Sequence, residues 1–194
     1  MVHLKPSIID VKAKTDCLAH AIIIAIARII NDPNYKAYPQ GCKILQMVQH
    51  LLRTTGIDLQ HGGGIPEPLR FQDHFSEYRI VVYRGLDCGD IIVDGQGISE
   101  KRISLLYDDV KRHYHVIENL TGAMIKHYVC KGCNKGYRSG ATHKCQETCN
   151  DFLSIAPCGY THLRILCDSC NRKFRSQSCF GKHKTNKLKG KTVC

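Results

Sequence analysis

The chain has no hydrophobic run long enough to cross a bilayer. Its longest apolar stretch, Leu18–Ile30, is interrupted by His20 and Arg28 and falls short of the roughly 20 residues that a spanning helix needs. No membrane partner is therefore expected. The same stretch lacks the build of a secretory leader, so the compartment is read as reducing, nuclear or cytoplasmic. A disulfide scaffold does not persist there, and the sequon Asn119-Leu120-Thr121 is expected to stay unglycosylated. Several catalytic signatures are missing as well. Without a Gly-x-Ser-x-Gly, His61-Gly62-Gly63-Gly64 has no serine to serve and reads as a loop. Gly190-Lys191-Thr192 lacks the earlier glycine of a phosphate loop, because Thr185 stands at that position. Asp108-Asp109 has no partner acid in a matching strand and reads as a hairpin turn. Acidic residues are scarce in the last third: residues 126–194 hold 3 Asp and Glu against 14 Lys and Arg, whereas residues 1–125 hold 14 of each. The whole formal charge of +11 therefore belongs to the tail.

What the tail has instead is cysteine, with nine of the twelve between Cys130 and Cys194. Cys130-Lys131-Gly132-Cys133-Asn134-Lys135-Gly136-Tyr137 repeats, 37 residues later, as Cys167-Asp168-Ser169-Cys170-Asn171-Arg172-Lys173-Phe174. Two cysteines separated by two residues point into one tetrahedron from a tight turn, and the aromatic supplies the small core that such a module needs. Zinc is the expected cofactor. The first unit offers Cys130, Cys133, His143, Cys145 and Cys149; His143 and Cys149 are preferred to complete it, with Cys145 as the alternative, and Cys158 is left over. In the second unit, Cys167, Cys170 and His183 are joined by Cys194 or by Cys179, which shares a helix face with His183. Cys194 is preferred because that register keeps Phe174 and Phe180 as core. Arg172, Lys173, Arg175, Lys182, Lys184 and Lys187 then form a face for phosphates, so nucleic acid is the expected partner. A protein-binding zinc module with a solvated charged surface is the alternative.

The charge-neutral front, residues 1–124, reads as helices followed by a meander of antiparallel strands, an α+β arrangement. Asp16 is expected to cap a helix that runs through the Ala and Ile residues to Ile30 and stops at Asn31-Asp32-Pro33. Being apolar on nearly every side, that helix should be buried. A second helix is expected over Cys42–Thr54, terminated by Gly56. Strands are expected at Tyr78–Tyr83, Asp90–Val93, Arg102–Tyr107 and Tyr114–Glu118. Cys17 falls at the start of the buried helix, where unpaired amides favour a thiolate. His113 and His115 follow nearly a hundred residues later, on or beside a strand. A helix-borne Cys that meets a strand-borne His is the plan of papain-like cysteine peptidases.

The words Asp16-Cys17-Leu18 and His113-Tyr114-His115-Val116-Ile117 resemble the Cys and His motifs of ovarian-tumour-type deubiquitinases. The resemblance implies Cys17 as nucleophile, His113 as base and a ubiquitin-like partner, with Asn119 or Asp16 as candidates for a third member. Those enzymes have Gly and Asn just before the nucleophile, where this chain has Lys14, Thr15 and Asp16. A relic of a peptidase is accordingly expected rather than a working one. In the tail, Cys167, Cys170, Phe174, Phe180 and His183 keep the spacings of the zinc finger that uses two cysteines and two histidines, except that Lys187, Leu188 and Lys189 stand where its last histidine belongs.

From end to end the chain resembles the N-terminal part of proteins encoded by Maverick or Polinton transposons, ahead of their protein-primed family-B DNA polymerase. The words from Cys17 and His113, Cys130–Cys149, Cys167 and Cys170-Asn171-Arg172, and Cys179-Phe180 with His183-Lys184 carry that resemblance. Phe152 stands where such proteins often have another cysteine. The polymerase and exonuclease carboxylate motifs do not occur, and the expected product is a fragment that does not polymerise DNA by itself. The leading expectation is a zinc-stabilised, DNA-binding region (residues 125–194) behind an inactive peptidase-like domain. The alternative is a deubiquitinase-like cysteine peptidase that uses Cys17 and His113.

Overall fold

The computed structural model describes residues 4–41, 43–60, 62–85, 87–95, 101–130, 133–139, 143, 165–169, 173–174, 177–185, 187–188 and 191–192. The chain divides into two compact units, Met1–Val129 and Cys130–Cys194. Each is α+β.

The first unit is organised by the helix that its Ala/Ile run foretells, α1 (Cys17–Ile29). Isoleucine is a poor helix former because its branched carbon crowds the preceding turn. Burial overrides that preference: nine of the 13 residues are buried, Leu18, Ile22 and Ile24 completely. α2 (Leu45–Thr55) buries Val48 against the same core and ends where Gly56 takes a φ of 63°, so the glycine stop is where the sequence puts it. A third helix, α3 (Pro66–His74), occupies a segment without a clear apolar stripe. Its start is written in Pro66, whose fixed φ suits the first turn, and in Glu67, whose carboxylate accepts the Gly64 N–H at 2.6 Å. The buried Gln72 ties the end of α3 to the sheet: its amide donates to Tyr78 O (2.8 Å) and accepts from Ile80 N–H (2.7 Å).

The five-stranded sheet comprises β1 (Ile8–Ile9), β2 (Arg79–Arg84), β3 (Asp90–Asp94), β4 (Arg102–Asp108) and β5 (His113–Ile117), in the order β1-β5-β4-β2-β3. The four longer strands lie within one or two residues of the expected ones. Their pairing corrects the antiparallel meander. β2 and β4 run parallel, from Arg79 opposite Arg102 to Arg84 opposite Tyr107, so the sheet is mixed. The strand faces account for the central place of β2. Ile80, Val81, Val82 and Tyr83 are all fully buried, and a strand apolar on both faces belongs in the middle with neighbours on both edges. β3, which begins and ends in aspartate, takes the outer edge. Val82 and Leu105 pack with α1 on one face; Val81, Tyr83, Leu106 and Ile117 pack with Ile8 and with Ala123 and Met124 of α4 (Leu120–Met124) on the other. Asp108 accepts the Val110 and Lys111 amides, so the Asp108-Asp109 pair is the expected turn, leading directly into β5. A short strand β6 (Tyr128–Val129) closes the unit.

In the second unit, β7 (Gly136–Tyr137) follows the first Cys-x-x-Cys. β8 (Ile165–Leu166) and β9 (Lys173–Phe174) form an antiparallel hairpin that pairs Ile165 with Phe174, and α5 (Gln177–Thr185) follows. After α5 a second hairpin, β10 (Lys187–Leu188) with β11 (Lys191–Thr192), stands where the sequence suggests helix and loop.

Candidate active site and candidate metal centre

Cys17 is the first residue of α1, and α1 packs against β5, whose first residue is His113. The two side chains are close enough to shift each other's ionisation. The Nε2 of His113 lies 2.8 Å from the main-chain oxygen of Val11, which leaves Nδ1 as the ring nitrogen not engaged by that carbonyl. The electrostatics follow. Burial works against a charged Cys17, yet the neighbouring His113 and the Tyr114 and Leu18 amides outweigh it, and the thiol sits below its ordinary pKa. His113 is raised above its ordinary value, chiefly by the neighbouring Cys17 and against the cost of burial, with help from the Val11 carbonyl and the Asp10 charge. A thiol moved down and an imidazole moved up is the direction of a thiolate–imidazolium pair.

Asp16, expected to cap α1, does so without a side-chain bond. It takes a left-handed φ of 53°, which is uncommon for a residue other than glycine and costs of order 1 kcal/mol. Its carbonyl accepts both the backbone N–H of His20 and His20 Nδ1–H at 3.0 Å. Neither suggested third member is hydrogen-bonded to His113. Asn119 is committed to the start of α4, accepting the Gly122 amide at 3.1 Å and the Thr121 hydroxyl at 2.7 Å. The Asp16 side chain has no hydrogen bond to the helix it precedes.

Two features of the centre have little or no sequence signal. His115, two residues along the same strand, is 1% exposed. Its Nδ1 is 3.3 Å from Asp10 Oδ1, yet neither ring nitrogen has a partner in hydrogen-bonding geometry; we take this approach as charge proximity rather than a bond. Burial above all, together with the neighbouring charge of His113, pushes His115 down to about 4, so it is neutral near pH 7. The rings of His113 and His115 lie 4.8 Å apart. The second feature is the glycine loop. A Cβ on Gly63 would meet Leu18 Cδ2 at 3.0 Å and Tyr114 Cε2 at 3.3 Å, and the Tyr114 hydroxyl donates to Gly64 O at 2.7 Å. The loop that seemed to serve nothing is clamped onto the residues that follow Cys17 and His113.

In the tail, the ligand atoms of Cys130, Cys133 and His143 lie within 4.8 Å of one another, with Cys133 Sγ 3.4 Å from His143 Nε2. This group could hold a metal ion. The turn is closed by Asn134 N–H to Cys130 O (2.9 Å) and Cys130 N–H to Lys135 O (3.0 Å). Asn134 has a φ of 58°, a left-handed conformation that asparagine tolerates better than most residues, which accounts for the Asn after the second cysteine. Tyr137 stacks on His143 with centroids 4.9 Å apart and planes 12° apart; it is the aromatic expected to pack at the knuckle. Cys145 and Cys149 lie outside the described residues. In the second unit, Cys167 and His183 are buried, at 0% and 1% exposure, below the hairpin-then-helix arrangement. Cys170, Cys194, Arg172 and Arg175 lie outside the described residues. Cys179 and Lys182 are on α5, Lys173 on β9 and Lys187 on β10. The exposed Lys184 lies over the Phe180 ring at 5.6 Å and within 3.5 Å of Ser169 Oγ.

Compared with known proteins, the chain matches no family model, no curated protein and no solved structure. Among the described residues, no helix is long and apolar enough to cross a membrane.

Proposed function

We propose that residues 1–129 form a working cysteine peptidase or isopeptidase domain on the papain-like plan, with Cys17 as nucleophile and His113 as its acid–base partner. One observation carries this: Cys17 at the start of α1 is brought to His113 at the start of the strand packed against it, close enough for each to shift the other's ionisation, with the imidazole fixed by the Val11 carbonyl. It supports raising to first place a reading that the sequence alone ranks second. In the proposed reaction, the Cys17 thiolate attacks the carbonyl carbon of an amide. Amides of the first turn of α1, which have no carbonyl partners within the helix, are donors for the developing oxyanion. His113 gives its proton to the departing amine, and the thioester is then hydrolysed by a water that His113 deprotonates. A ubiquitin-like C-terminus is the proposed substrate class, on the resemblance of the Cys17 and His113 words to deubiquitinases. The test is covalent labelling of the full chain by a ubiquitin-derived or peptidyl electrophile, followed by peptide mass spectrometry. An adduct on Cys17 that is lost in His113→Ala supports the reading; an unlabelled wild type removes it.

The metal-ligand cluster favours a second role for the tail. The donor set of two thiolates and an imidazole suits zinc, and a zinc-ordered lobe carrying the chain's entire net charge is suited to a polyanion, here proposed as DNA. On this reading the chain is the front part of a mobile-element replication protein and works in the nucleus or cytoplasm. Titration with duplex and single-stranded DNA tests it. Binding should weaken with salt and vanish on chelation; binding indifferent to both would exclude it.

A further inference from the structure

Resting on the Cys17–His113 reading, we propose that the third member of the catalytic centre is not a side chain: the main-chain carbonyl of Val11 positions His113, delivered by the N-terminal strand.

In a Cys-His centre the base needs an acceptor on its distal nitrogen, to fix the tautomer and to support the imidazolium. Among the described residues the hydrogen-bond acceptor at His113 Nε2 is Val11 O, at 2.8 Å across 102 residues of sequence. The carboxylate whose charge reaches His113, Asp10, is turned elsewhere: it is hydrogen-bonded to Lys12 and stands 3.3 Å from His115. It reaches His113 only as a charge. The carbonyl, by contrast, is held on three sides. Ahead of it, β1 is laddered to β5 through Ile8–Ile117 and Ile9–Val116. Behind it, Lys12 N–H donates to Pro39 O at 3.0 Å. The Val11 side chain itself is 3% exposed in the α1 core. The ladder that aligns β1 with β5 therefore also aims the acceptor.

The charged and titratable groups around His113 suit a neutral acceptor. α1 contributes Cys17; the N-terminal strand contributes Asp10 and Lys12; β5 contributes His115; the preceding turn contributes Asp108 and Lys111. With His115 uncharged near pH 7, Asp10 is the nearby anion that assists the imidazolium. Weakening the carbonyl should lower the proton affinity of His113, and with it the thiolate fraction of Cys17.

A main-chain atom is altered by semisynthesis, and Cys17 is itself a ligation point. A synthetic segment of residues 1–16 joined to residues 17–194 yields the full chain. In one product the Val11–Lys12 amide is replaced by an ester, whose carbonyl is a poorer acceptor; in a second, Lys12 is N-methylated. Both lose the Lys12 N–H bond to Pro39, but only the ester weakens Val11 O. The readout is the pH dependence of Cys17 alkylation, with the thermal melt recorded alongside. The ester should raise the midpoint and slow alkylation at pH 6 about five- to tenfold, while the N-methyl protein follows the all-amide protein. Equal behaviour of the two altered proteins, or an ester protein indistinguishable from the all-amide one, overturns the proposal. An all-amide protein with an ordinary, slow thiol is a different result: it removes the peptidase reading and takes this inference with it.

Discussion

Cys17 meets His113 because a buried helix and a sheet strand pack together through Leu18, Ile22, Tyr114 and Val116. Cys130 meets His143 across a short turn with one stacked tyrosine, in a unit whose few buried described residues include Cys130, Cys167 and His183 themselves. In the front unit the hydrophobic core comes first and the reactive pair is placed by it. In the tail, cysteine and histidine side chains stand among the few buried described residues, and an ion held there would supply stability that an apolar core supplies in the front unit. The two units should therefore fail under different insults.

The largest expected effect separates them outright. Chelation, or Cys133→Ser, should melt the tail, because structural zinc contributes about 10 kcal/mol to such modules, while the front unit keeps its melting transition. Circular dichroism with metal analysis reads both, and a tail that stays folded without metal would erase the distinction. Next, Cys17→Ala and His113→Ala should each cut adduct formation by a factor of about 1,000 or more with the front unit still folded. In Cys17→Ala, His113 loses the main cause of its raised pKa and should titrate at lower pH by NMR; an unmoved titration would mean that the pair is not coupled.

Acid should also find the front unit. His115 is held at about 4 in the fold and returns to about 6.5 when unfolded. As pH falls below 6.5, the unfolded chain takes up a proton that the folded one refuses. Stability present above that value is thus lost down to pH 4, by about 2–3 kcal/mol. His113, raised rather than lowered, contributes in the opposite sense, so the comparison is wild type against His115→Leu. The variant should lose this component of the acid dependence, and parallel pH profiles would refute it. The smallest effect is at the glycine loop. Gly63→Ala puts a methyl 3.0 Å from Leu18 Cδ2 and should cost about 1–2 kcal/mol and slow labelling of Cys17 about tenfold. A variant as stable and as reactive as wild type would show that the loop does not set the spacing.

Much of the fold is legible where one residue type dominates a segment. The Ala/Ile run can only be a buried helix, and the Ile/Val/Leu/Tyr segments can only be strands. Strand order is not legible, because Ile80–Tyr83 would look the same with antiparallel neighbours; the parallel partner β4 is chosen by how the chain crosses after β3. α3 escapes because its proline-rich start and polar surface carry no stripe. At the site, Cys17 and His113 are readable from residue type and order, and Cys130, Cys133 and His143 from spacing. Val11 is not readable, because every residue has a carbonyl and only the β1–β5 register selects this one. His115 shows in sequence only as a second histidine; its burial beside Asp10 is a tertiary fact.

The most direct measurement is the rate of Cys17 alkylation as a function of pH, followed on the tryptic peptide that contains it. The account predicts a midpoint below the ordinary thiol value of about 8.5, returned to that value or above by His113→Ala. A wild-type midpoint at or above 8.5 that His113→Ala leaves in place would contradict it.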